Sequence, residues 1–223
     1  MRKRALIKVD QLLLFNVGRL FAIGDVHGHA DELSRLLEKI QPTQQDTLVM
    51  LGDVVNRGPD SKGVIDRLIG LKKQCKLVCI LGNHEEAMLD ARSDRYARSR
   101  WEEMGGFETL MSYGSEGRIK DVPEQHWMFL ESFVPYHETD DFAFVHANYD
   151  WSLPMSQQSS LMLRWTGIDE LPPQPHYSGK TIVCGHTPGE PRDLGHVICI
   201  DTGCGFGGPL TAIELPSRRL ISS

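Results

Sequence analysis

Five times along this chain a short apolar run stops at a small, polar turn that carries Asp, His or Asn. Residues 19–24 lead into Gly24-Asp25-Val26-His27-Gly28, and residues 47–51 into Gly52-Asp53-Val54-Val55-Asn56-Arg57-Gly58-Pro59. Residues 76–81 end in Gly82-Asn83-His84-Glu85, residues 142–146 in Val145-His146-Ala147-Asn148, and residues 181–184 in Gly185-His186-Thr187-Pro188. Apolar runs this short, bounded by glycine, have the length of strands rather than helices. In an α/β sheet the loops at the carboxyl ends of strands converge on one crevice. A chain with this pattern therefore has to gather polar residues that are distant in sequence.

Between the first three runs the periodicity turns helical. Residues 30–40 place Leu33, Leu36, Leu37 and Ile40 on one face, and residues 61–73 do the same with Val64, Ile65, Leu68 and Ile69. Strand and helix alternating over short links predict a parallel sheet with right-handed crossovers. Residues 84–131 read as mostly helical and richer in charge, so a helical cap inserted over about 84–133 is expected. Prolines 154, 172, 173 and 175 punctuate the loop that follows. The runs at 181–184, 197–200 and 210–215 are spaced closely enough to predict an antiparallel second sheet. The expected fold is one α/β (α+β) domain over residues 1–223: two packed mixed sheets flanked by helices, with the helical cap.

The chain is 40% hydrophobic, enough for a core without covalent staples. Its five cysteines contain no CxxC pair, and Cys79, Cys184 and Cys199 sit inside apolar runs. They read as small hydrophobes in a reducing cytosol, and Cys204, in a Gly-rich loop, as a packing residue. Arg2, Lys3, Arg4 and the apolar residues 12–15 have the outline of an export signal. Lys8, Asp10 and Gln11 break it, and no window reaches the roughly 18 apolar residues of a membrane helix. A cytoplasmic protein with no membrane partner is the resulting expectation. The net charge of -6 argues against nucleic acid, whose phosphates call for basic surfaces. It leaves phosphorylated substrates open, since bound metal ions can supply the positive charge.

The donor types at the run ends suit a pair of divalent cations about 3.5–4 Å apart. A carboxylate has two oxygens and can bridge such a pair, and Asp53 is the choice for that role. Neutral imidazole suits Mn, Fe, Co or Zn, and no thiolate sits at these positions to indicate a structural zinc site. Glycine before each ligand lets the backbone turn tightly.

The ordered set GDVHG, GDVVNRG, GNHE, VHAN and GHTP resembles the calcineurin-like metallophosphoesterases. More narrowly it is similar to the small bacterial and bacteriophage lambda-type members of the phosphoprotein phosphatase superfamily. The resemblance spans nearly the whole chain, including Ile200-Asp201-Thr202-Gly203 and the run after it. It implies one metal held by Asp25, His27, His186 and the bridging Asp53, and a second held by Asp53, Asn83 and His146. Manganese is the expected metal, with iron, zinc and cobalt as alternatives. His84 matches the general acid that protonates the leaving oxygen. Arg57 matches a phosphate-gripping arginine, and Arg164 is the best match for a second one. Asn56 departs from the pattern, which has Asp there to pair with the catalytic histidine. An amide can orient that ring but cannot supply the charge.

The remaining polar residues are given plainer roles. His29, His126, His137, His176 and His196 are read as structural or surface histidines, and Asp201 as a loop-tying carboxylate. Tyr149, Trp151 and Trp165 fit a substrate groove or simple packing. The leading functional expectation is metal-dependent hydrolysis of phosphoserine and phosphothreonine, with phosphotyrosine in range. A dinucleoside polyphosphate hydrolase is the second expectation, since relatives that cleave diadenosine tetraphosphate also lack the Asp at this place. A catalytically weakened binding module is the third.

Overall fold

The computed structural model describes residues 18–223. The residues weighed above as an export signal lie outside that range. In chain order the strands are β1 Leu20–Ile23, β2 Thr47–Met50, β3 Lys76–Cys79, β4 His137–Glu138, β5 Phe142–Phe144, β6 Thr181–Cys184, β7 Arg192–Asp193, β8 Val197–Cys199, β9 Thr211–Leu215 and β10 Arg219–Ser222. The helices are α1 Ala30–Ile40, α2 Ser61–Leu71, α3 Asn83–Ala91, α4 Arg95–Trp101, α5 Phe107–Tyr113, α6 Glu124–Glu131 and α7 Ser160–Arg164.

Among the described residues two five-stranded sheets result, with orders β10-β9-β1-β2-β3 and β4-β5-β6-β8-β7. In the first, β1, β2 and β3 are parallel, with Ala22 opposite Val49 and Val49 opposite Val78. The second differs from its expectation, because β6 and β8 are parallel, not antiparallel, and β5 is parallel to β6. The link over 185–196 is short enough for a hairpin. It contains β7, which folds back antiparallel on β8 and so restores the direction of β6. The run at 210–215 also leaves the second sheet. It becomes β9 and pairs antiparallel with β1, Ile213 facing Ala22.

Strand alternation explains the layers. Phe21, Ile23, Leu48 and Met50 turn toward the helices and meet Leu33, Leu36, Ile65 and Leu68. Ala22, Val49 and Leu51 turn the other way and meet Phe144, Val183, Ile198 and Ile213 between the sheets. The far face of the second sheet is covered by Tyr149, Met155, Leu163 and Ile168. Each large aliphatic side chain buried here contributes about 1.5–3 kcal/mol. Helices α3 to α6 share the first of these clusters through Met88, Trp101, Leu110, Trp127 and Leu130. A π-helical turn, Glu102–Gly106, links α4 to α5, with Gly105 at φ 94°.

All five cysteines are free and buried. No helix among the described residues is long and apolar enough to cross a membrane.

Candidate metal centre

The loops after β1, β2, β3, β5 and β6 meet over one end of the sandwich. Their backbones are strained there. Of the seven non-glycine residues with positive φ among the described residues, five belong to the polar motifs: His27 (46°), Asp53 (49°), Asn56 (74°), Arg57 (67°) and His186 (62°). Such conformations cost on the order of 1–3 kcal/mol each and persist where surrounding contacts over-determine them. Gly52 has φ 102°, and a Cβ there would lie 2.7 Å from His146 Nδ1, so only glycine admits the histidine beside Asp53.

Asp53 is the hub. Its Oδ2 lies 3.5 Å from His27 Nε2 and 3.4 Å from His146 Nε2. Ligand-type atoms of His27, Asp53 and His84 fall within 4.8 Å of one another, and so do those of Asp53, His146 and His186. Asn83 Oδ1 is 2.9 Å from His146 Nε2, and His186 Nδ1 is 3.0 Å from the same atom. Asp25 stands outside both triplets but borders them, its Oδ2 accepting the His186 backbone N–H at 3.1 Å.

The partners of the outer ring nitrogens fix two of these histidines. His27 Nδ1 donates to the Val55 carbonyl at 3.0 Å, and His146 Nδ1 donates to the Leu51 carbonyl at 2.8 Å. Each ring therefore carries its lone pair on Nε2, the nitrogen nearer Asp53. His146 Nε2, Asn83 Oδ1 and Asp53 Oδ2 then face one another as acceptor atoms, which together make a donor set for a cation. The charge balance agrees. Burial pushes the Asp25 carboxyl well above its usual range, helped by Asp201 and Asp53. It lifts Asp53 to about 8. Burial also lowers His27 to about 3, and His146 and His186 to about 4. Divalent cations keep such carboxylates ionised and bind the neutral imidazoles. The residues thus fit a metal pair.

His84 is held differently. Asn56 is fully buried, and its Oδ1 accepts from Trp101 Nε1 and from Thr109 Oγ1, both at 3.0 Å. An indole N–H can only donate, so the amide oxygen must face Trp101. The amide N–H2 then points at His84 Nδ1, 2.8 Å away, and that nitrogen must accept. His84 consequently turns an Nε2–H toward the centre, 3.8 Å from Asp53 Oδ2. It faces the centre as a hydrogen-bond donor.

Other residues hold the walls. Glu85 is fully buried and accepts backbone N–H groups of Asp53 and Val54 at 2.8 Å, Gly82 at 3.1 Å and Val55 at 3.2 Å. It ties the β2 loop to the start of α3. Arg57 Nη1 donates to His27 Nε2 at 2.7 Å, with its guanidinium 4.5 Å from the Phe206 ring centre. Arg164 is buried and pairs with Glu86, Nη2 to Oε1 at 2.6 Å. The positioning roles of Glu85, Trp101 and Thr109 were not anticipated from sequence. Only Glu85 leaves a signal, an acid three residues after the helix-capping Gly82.

The histidines given plainer roles do not join the centre. His126 bonds Tyr113 and Asp66, His176 bonds Ser178 and the Leu153 carbonyl, and His196 bonds the Pro173 carbonyl. Asp201 accepts from Gly203 N–H at 2.9 Å, as a loop tie should.

A model of the calcineurin-like phosphoesterase family matches residues 18–198. A bis(5'-nucleosyl)-tetraphosphatase PrpE [asymmetrical] from Anoxybacillus flavithermus is 31% identical, covering 90% of this chain and 91% of that protein. Serine/threonine-protein phosphatase 1 from Salmonella typhimurium is 29% identical, over 90% and 93%. Among solved structures, one named as a candidate diadenosine tetraphosphatase superposes with TM-score 0.70 at 24% identity, covering 95% of each chain. A cold-active protein-tyrosine phosphatase of a psychrophilic Shewanella gives 0.62 at 21%, over 92% of this chain and 77% of the other, a likeness of fold. The chain belongs to the calcineurin-like phosphoesterases and is a hydrolase of phosphoesters that uses divalent metal.

Proposed function

From that membership, we propose that this phosphoesterase removes phosphoryl groups at a two-metal centre shared through Asp53, with phosphoserine and phosphothreonine in proteins as its substrates. The observation that supports the two-metal reading is the convergence of two unprotonated Nε2 atoms on Asp53 Oδ2, His27 on one side and His146 on the other. Asp25, His27 and His186 would hold one cation and Asn83 and His146 the other, with manganese the expected metal. When bound, the cations would supply Lewis acidity toward the phosphoryl oxygens and lower the pKa of the attacking water.

The chain's own groups do the rest. Arg57 sits beside His27 and can grip two phosphoryl oxygens at once, offsetting charge that develops in the transition state. Arg164 enters from the other side, its guanidinium steadied by Glu86. His84 presents Nε2–H toward the leaving oxygen. Buried walls formed by the sheets limit water around these groups.

A second reading, hydrolysis of a dinucleoside polyphosphate, is favoured by the Asn56–His84 contact. The amide orients His84 without a counter-charge, so the ring hydrogen-bonds to the leaving oxygen more readily than it surrenders a proton. An alkoxide leaving group needs that proton, whereas the phosphate released from an anhydride needs it far less.

Chelator-stripped protein reloaded with manganese, zinc, iron(II) or cobalt separates these readings. Hydrolysis of para-nitrophenyl phosphate should vanish on stripping and return on reloading. A higher kcat/KM for a phosphothreonine peptide than for diadenosine tetraphosphate supports the first reading, and the reverse order supports the second. Absence of metal-dependent hydrolysis on every substrate overturns both.

A further inference from the structure

A cleft of about 320 Å³ opens between α3, α4, the π-helical turn and the residue after α7. Its volume falls at the small end of the roughly 300–1,000 Å³ range of ligand sites. Ala87, Ala97, Met104 and Trp165 give it an apolar lining. Asp90 and Arg100 stand at the rim, both exposed to solvent. Trp165 is 37% exposed and its indole N–H is tied to Glu86 Oε2 at 2.6 Å, so the ring face is set before anything binds.

Two hydrogen-bonded paths join this cleft to the metal centre. Trp101, buried beneath it, donates to Asn56, which donates to His84. Trp165 on its other side shares Glu86 with Arg164. Two residues that line the cleft are thus each linked through a single residue to His84 and to Arg164.

The chemistry of the lining narrows the occupant. A cleft lined by two small alanines, a fixed indole and a soft thioether suits a flat ring. A carboxylate acceptor and a guanidinium donor at the rim suit a ring whose edge carries both amino donors and ring-nitrogen acceptors. Phenylalanine has neither edge group, and tyrosine has one hydroxyl. Nucleobases have both.

We propose that this cleft is a nucleobase subsite, which seats the base of a nucleotide substrate whose phosphates reach the strand-tip centre. The proposal rests on the second reading above, in which the substrate is a nucleoside polyphosphate. Stacking on one aromatic face changes binding of a base by about tenfold or more.

Competition against para-nitrophenyl phosphate tests it with the metal-loaded enzyme. Adenosine monophosphate should inhibit with a Ki about tenfold below that of inorganic phosphate. Ala87→Leu, which fills the slot, should bring the two inhibition constants together. Arg100→Ala, at an exposed position, should narrow the gap by a smaller factor. Equal inhibition by adenosine monophosphate and phosphate in the wild type overturns the subsite while leaving the metal centre intact. Stronger inhibition by phosphotyrosine than by adenosine monophosphate also overturns it, assigning the slot to a peptide side chain. Indole fluorescence titrated with adenosine needs no turnover. Saturable quenching lost in Ala87→Leu supports the cleft even if the metal centre proves inactive, and absence of quenching sinks it.

Discussion

The floor of the metal centre and its His84 corner are both built from imidazoles on strand-tip loops, yet they face inward with opposite polarity. On the floor, His27 and His146 give their Nδ1 protons to the Val55 and Leu51 carbonyls and turn lone pairs inward. In the corner, His84 receives an amide proton at Nδ1 and turns an N–H inward. All three rings are buried and lie close to Asp53. The partner of the remote nitrogen, not burial or distance, separates a ligand from a donor.

Removing the bridge should break the floor completely. Asp53→Asn is expected to lower metal-dependent hydrolysis about 10³- to 10⁴-fold, equivalent to several kcal/mol of Lewis-acid stabilisation. Metal content after gel filtration should fall with it. Retention of two metals per chain in this variant contradicts the bridging role.

The corner predicts a different pattern. His84→Gln should keep its metal content and lose activity by about 10²- to 10⁴-fold on an alkyl phosphate. The loss on para-nitrophenyl phosphate should be smaller, because nitrophenolate leaves without much help. Metal lost together with activity in His84→Gln would make His84 a ligand and erase the comparison.

The floor was legible in the sequence because each of its proposed ligands closely follows an apolar run, a pattern that survives any error of sheet topology. Thus the β6–β8 direction could be misjudged while His146 and His186 were still placed at strand tips. The corner was less legible. Asn56 stood out as a departure from a family pattern, but the direction of its amide depends on Trp101 and Thr109, which lie 45 and 53 residues away. Periodicity marks Trp101 as apolar and carries no information about where its single N–H points. Glu85 lies between these cases. Its spacing from Gly82 announces a helix start, but its grip on the β2 loop is a tertiary contact.

Asn56→Asp sharpens the comparison by changing charge in the corner alone. A carboxylate accepts where the amide donated, so His84 Nδ1 has to carry a proton. With Nε2 also protonated, the ring becomes a cation held by its counter-charge. Activity on a phosphothreonine peptide should rise about tenfold relative to that on para-nitrophenyl phosphate, one pKa-sized increment of acid strength. An unchanged ratio between the two substrates means that Asn56 does not limit proton donation.

Trp101→Phe is the smallest of these changes and the most selective. It keeps the apolar volume and removes one N–H, at a cost of about 1 kcal/mol in stability. Its effect on activity depends on what occupies position 56. With Asn56, the indole N–H selects which end of the amide faces His84. Without it the amide can rotate, present its oxygen to the ring and admit the other tautomer, so the dependence of rate on leaving group should change. With Asp at position 56 both ends are oxygens, and rotation changes nothing. Trp101→Phe should therefore alter the leaving-group dependence in the Asn56 protein and leave it alone in Asn56→Asp. Equal effects in both backgrounds would show that Trp101 acts through packing, and that the polarity of the corner is not set by its indole.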